Sequence, residues 1–91
     1  MAIDVECRAE RDGWRCSVRV DGTGGDTVHS VSVSRADLVR LDAGASQPGD
    51  LVRRSFEFLL ERESNASILR SFELTEISRY FPEYERQIEK R

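Results

Sequence analysis

"IDVECRAERDGWRCSVRV", residues 3–20, is the stretch on which the fold turns. Ile3, Val5, Cys7 and Ala9 alternate with Asp4, Glu6 and Arg8, the period of two expected of a strand with one wet face. After Asp12-Gly13 the alternation resumes with Trp14, Cys16, Val18 and Val20 on one face. A two-residue Asp12-Gly13 loop supplies the positive-φ positions of a type I′ hairpin turn. Pairing outward from that loop sets Val5 opposite Val20, Cys7 opposite Val18 and Ala9 opposite Cys16. Both apolar sets then share a face, as a buried face requires. Glu6 falls opposite Arg19 and Glu10 opposite Arg15, favourable pairs for the wet side.

The hairpin extends on one side into more sheet. "DGTGGD", residues 21–26, is a glycine-rich loop, and "TVHSVSV", residues 27–33, alternates again. If Asp21 pairs with Asp26, His29 faces Val18, Val31 faces Cys16 and Val33 faces Trp14. The expectation is a three-stranded antiparallel meander with its first and third strands as edges.

Helices follow. Ser34 with Asp37 three residues on resembles a capping box, opening a short helix over 35–42 that uses Leu38, Val39 and Leu41. "DAGASQPG", residues 42–49, breaks it, and Pro48 suits the first turn of the next helix. In "LVRRSFEFLLERE" the positions Val52, Phe56 and Leu59 form a stripe that Leu51, Phe58 and Leu60 widen. This is the helix expected to cross the sheet. Residues 67–72 read as one or two further helical turns, with Thr75 capping the last segment. There Ile77, Tyr80, Phe81, Tyr84 and Ile88 keep helical spacing across Pro82, so the chain either kinks at that proline or joins two helices there. Ninety-one residues make one domain, 1–91, with a meander over 1–33 and a helical part over 34–91. The fold class is α+β: a three-stranded antiparallel meander packed against C-terminal helices in two layers.

Composition narrows the function classes. No apolar run is long enough to span a bilayer, and no basic start precedes an apolar stretch as in a signal peptide. The expectation is a cytoplasmic protein without a membrane role. Fourteen cations and 17 anions give a net charge of −3. Neither half carries a polybasic arm, which argues against a general polyanion binder.

The residues able to do chemistry are few. Cys7 and Cys16 sit diagonally in this register, with α-carbons about 7–8 Å apart, beyond the usual disulfide range. Two reduced core thiols are expected. They match no zinc spacing with His29, the one histidine. His29 reads as a histidine at the core margin. Ser30 beside it in sequence points to the opposite face, and no G-x-S-x-G, G-x-G-x-x-G or P-loop stretch occurs. No catalytic residue, cofactor or metal ligand is expected, and the chain reads as a non-enzyme.

Two binding readings remain. Arg79, Tyr80, Tyr84 and Arg86 bring together the residue types that concentrate at protein interfaces. With an edge strand they suggest docking to another protein or to a second copy as a homodimer. The same aromatics at helical spacing also suit a core. The alternative is nucleic-acid binding by the wet face of the sheet through Arg8, Arg15 and Arg19, against which stand Asp4, Glu6, Glu10 and Asp21 on that face.

Residues 51–85, in particular "SFEFLLERE" and "YFPEYE", resemble the C-terminal signature of a family of small uncharacterised bacterial proteins. That resemblance implies a bacterial source and no particular activity. The three strands also resemble, in topology alone, the sheets of small bacterial antitoxins of the HicB kind, which would imply a regulator.

Overall fold

The computed structural model describes residues 2–22 and 24–90. Strands β1 (Ile3–Glu10), β2 (Gly13–Val20) and β3 (Thr27–Ser34) form the expected antiparallel meander. The helices are α1 (Arg35–Leu41), α2 (Gly49–Leu60), α3 (Ile77–Tyr80) and α4 (Tyr84–Ile88). The fold is α+β, but the sheet has a fourth strand. Residues 71 and 72, expected as part of a helical turn, join Glu73 in β4 (Ser71–Glu73) parallel to β3, after a 3-10 turn at Asn65–Ser67. Sheet order is β1-β2-β3-β4, so β3 is internal and β1 and β4 are the edges.

The β2–β3 register is the one the alternation predicts, with Cys16 opposite Val31 and Val18 opposite His29. The β1–β2 register differs by two residues. Glu10 pairs with Gly13, so Arg11-Asp12 is the loop. Neither of these residues has positive φ, so the turn is not of the primed kind. Gly13 lies within β2, where an added Cβ would sit 2.1 Å from the Val33 carbonyl oxygen. Its glycine serves a close backbone approach rather than a turn. A shift of two preserves side-chain parity, so the same residues stay inward.

Partners on the wet face change with the register. Arg8 now faces Arg15, and Glu6 faces Ser17. Glu10 still reaches Arg15 at 3.7 Å, whereas Arg19 bridges Asp21 and Asp26 instead of Glu6. Cys7 moves opposite Cys16, with α-carbons 4.0 Å apart, and the two form a disulfide. The expectation of two reduced thiols is therefore overturned. The Asp21 amide donates to the Ala2 carbonyl, so the alternate pairs, Cys7–Cys16 among them, are the close non-hydrogen-bonded ones.

Ser34 caps α1 by accepting from the Asp37 amide at 3.0 Å, as the sequence suggests. Of the three apolar residues expected to hold it, Leu38 and Leu41 are buried, but Val39 is exposed. Pro48 stands at the N-cap of α2. The apolar stripe on α2 is wide because the helix is buried on two sides. Phe56 meets His29 and Phe72 at the sheet, while Phe58, about 200° further round, meets Phe81 and Tyr84. The chain breaks into α3 and α4 at Pro82, one of the two outcomes expected. The last segment is not capped by Thr75. Glu73 and Glu76 form a reciprocal capping box at the 3-10 turn Leu74–Glu76, which runs into α3.

The core collects the inward residues of β1–β3, α1 and α2 with Ile68, Phe72, Leu74, Ile77, Tyr84 and Ile88. Among the described residues no helix is long and apolar enough to cross a membrane.

Candidate functional site

Residues 65–73 run as a strap along the outer side of β3. Asn65 anchors its start. The Asn65 amide donates to the Gly25 carbonyl and to Thr27 Oγ1, both at 3.0 Å. Gly22 makes this approach possible, since a Cβ there would lie 2.4 Å from the Asn65 side-chain oxygen. In mid-strap His29 Nδ1 lies 2.7 Å from the Leu69 carbonyl oxygen, and the Ser30 amide donates to the Arg70 carbonyl at 2.8 Å. Pairing of Val31 with Phe72 completes the seam.

These bonds determine the state of His29. A carbonyl only accepts, so Nδ1 carries the proton. Nε2 lies 2.9 Å from Thr27 Oγ1, which already accepts from Asn65 and so has its hydroxyl proton free to donate to Nε2. The imidazole is neutral with both nitrogens engaged and is 1% exposed. Burial holds its pKa below the ordinary value and Arg70 adds to that, against the opposite pull of the Leu69 hydrogen bond. His29 thus sits inside the core rather than at its margin. It has no ring nitrogen left for a substrate or a metal.

Between the strap and the helices lies an open apolar groove of about 400 Å³. Leu59 of α2, Ile68 and Phe72 of the strap, and Ile77 and Phe81 at the α3 end form its floor. Leu69 and Tyr80 stand at its rim, 46% and 65% exposed. The charged residues lining it are two carboxylates, Glu63 and Glu76. Burial pushes the Glu63 carboxyl above its usual pKa, so this wall already bears an incompletely hydrated charge with no ion-pair partner among the described residues.

The four residues expected to form an interface are separated. Tyr80 is exposed at the groove and Arg79 is exposed next to it in sequence. Tyr84 is fully buried, its hydroxyl 2.6 Å from Ser55 Oγ on α2, so it presents nothing to a partner. Arg86 lines another, shallower surface with Glu61, Gln87 and Lys90. Leu69 and Phe72, which give the groove part of its rim and floor, lie in residues 67–72, where the sequence pattern suggests helical turns. The alternation Ser71-Phe72-Glu73-Leu74 is the available signal, but two repeats of a period of two are too short to separate a strand from a turn.

On the sheet's wet face, Arg8, Arg15 and Arg19 are all exposed. Arg19 is neutralised by Asp21 and Asp26. Among the described residues no three His, Cys, Asp or Glu side chains converge as metal ligands. Comparison with known proteins finds no matching family model, no matching curated protein and no matching solved structure.

Proposed function

We propose that this protein is a non-enzymatic docking module whose groove receives a short apolar segment of another protein, flanked by Arg or Lys. The groove itself carries the reading: an open apolar floor with an exposed leucine and tyrosine at its rim. Exposed apolar surface gathered in one concavity is the usual mark of an interaction site. The choice of a basic segment rests on charge. Among the described residues the charged members of the lining, Glu63 and Glu76, are both acidic, and a cation from the ligand would relieve the desolvated Glu63 carboxylate. An amphipathic helix offering apolar residues at steps of three and four is the form such a groove takes most readily. The occupied state of both His29 nitrogens supports a non-catalytic role.

The test is selection from a displayed peptide library, with counter-selection on Leu69→Ser/Tyr80→Ala. Enriched peptides should pair apolar side chains with Arg or Lys, bind the wild type, and lose about tenfold or more in affinity to Glu63→Arg, as a broken charge-assisted contact predicts. Peptides that bind the variants equally well would sink the reading. So would concentration-dependent dimerisation that buries Tyr80, since the groove would then serve a second copy.

A cytoplasmic location belongs to the same proposal. The Cys7–Cys16 bond pulls against it, because cytosolic reductants keep most thiols reduced. The thiol state of protein taken directly from cells decides between them.

A further inference from the structure

Besides Arg19, three arginines that the docking reading leaves unused border the wet face of the sheet. Arg8 on β1 and Arg15 on β2 are direct cross-strand partners. Like charges directly opposite each other oppose pairing, and the Glu10 carboxylate beside Arg15 offsets only one of the two. The third is Arg70. Its carbonyl accepts from the Ser30 amide at 2.8 Å, which fixes it beside β3 just ahead of β4. Arg8, Arg15 and Arg70 line one basin, with Ser17 and Ser30 between them and, among the described residues, one carboxylate, Glu6.

Arg15 is positioned from within, its Nη1 donating to Ser30 Oγ at 3.2 Å and its Nε 3.7 Å from Glu10. Arg8 and Arg70 have no ion-pair partner among the described residues. Guanidinium groups from three chain segments and two serine hydroxyls are therefore presented around one hollow. All are donors, and planar guanidinium forks match the oxygens of a phosphate group.

We infer that this basin binds a single phosphate group, carried by free orthophosphate or by a small phosphomonoester. A nucleic-acid strand fits it less well. Asp4, Glu10, Asp21 and Asp26 are exposed on the same sheet and its adjoining loop, and they would repel the phosphates on either side of the one that is held. Arg19, tied to Asp21 and Asp26, takes no part.

Calorimetric titration at low ionic strength tests the site, with orthophosphate, a nucleoside monophosphate and a single-stranded oligonucleotide as separate ligands. Saturable one-to-one binding of the first or second is expected. Tighter binding of the monophosphate would assign the site to esters; equal binding would assign it to phosphate itself. Arg8→Gln and Arg70→Ala should each weaken the interaction about tenfold, and Arg70→Lys should recover only part because it keeps the charge without the fork. Arg19→Ala should bind as the wild type does. No saturable binding of either small ligand, or equal affinity in Arg70→Ala with unchanged circular dichroism, would overturn the inference. So would an oligonucleotide that outcompetes both small ligands and loses its affinity with Arg19.

Discussion

Tyr84 is buried together with its hydroxyl because α2 leaves a polar notch for it. Ser55 donates to the Leu51 carbonyl at 2.7 Å within its own helix and accepts from the tyrosine. In the sequence this serine breaks the apolar stripe and gives no sign of its partner 29 positions away, so both a core and an interface reading of Tyr84 stay open there. Tyr84→Phe removes a buried hydrogen bond but leaves Ser55 bonded to Leu51. A loss of about 1 kcal/mol is expected in urea unfolding. Alkali probes the same site. Burial raises the Tyr84 pKa from 10.0 to about 12, outweighing the Ser55 hydrogen bond, which lowers it. The unfolded chain therefore releases this proton first as pH rises, and stability falls from about pH 10 until the folded group itself titrates. Absorbance at the phenolate band should show one tyrosine ionising late, together with loss of near-UV ellipticity. Two tyrosines ionising together while the fold persists would contradict that burial.

The β1–β2 hairpin shows how far alternation reads an element and where it stops. Parity places Ile3, Val18 and Val20 in the core whichever turn is chosen, because a shift of two residues leaves every side chain on its own face. Glycine after aspartate has two uses, a positive-φ turn position and a close approach, and the sequence does not separate them. The second applies here, with the Val33 carbonyl against Gly13. Gly13→Ala would push β2 from β3, so a destabilisation of about 1–3 kcal/mol is expected, in the range of other overpacking changes. An unchanged urea midpoint would overturn the close approach. The cysteines follow the register. Loop-closure entropy for so short a loop implies that Cys7→Ser/Cys16→Ser costs about 2–3 kcal/mol. Adding reductant to the wild type should move its urea midpoint by a similar amount. Free thiols in the untreated protein, with no response to reductant, would overturn the bond.

At the scale of the molecule, the strap over residues 65–73 turns a three-stranded meander into a four-stranded mixed sheet and builds one wall of the groove. Its helical reading failed because the holding interactions are long-range. Asn65 reaches Gly25 and Thr27, and Leu69 meets His29, each across about 40 positions. No local pattern in "SNASILRSFEL" reports such partners, although the apolar residues that pack beneath it were legible one by one. The Thr27–His29 bond beside the seam needs a neutral imidazole whose Nε2 can accept, so the strap should respond to acid. The folded His29 pKa lies below 6.5, with burial as the leading cause and Arg70 beside it. As pH falls through 6.5 the unfolded or locally opened chain takes up a proton that the closed seam refuses, so closure weakens with acidity in that window. A charged ring would also turn Nε2 into a donor and forfeit the Thr27 hydroxyl proton as a partner. Amide hydrogen exchange, corrected for its intrinsic pH dependence, should therefore lose protection at Ser30 and across β4 between neutral pH and about pH 5, while Val18 and Val20 in the central strand keep theirs. His29→Gln, which cannot acquire the charge, should flatten that pH dependence even if it lowers protection throughout. Equal loss of protection in all four strands would mean that acid unfolds the whole sheet and that the strap has no separate opening.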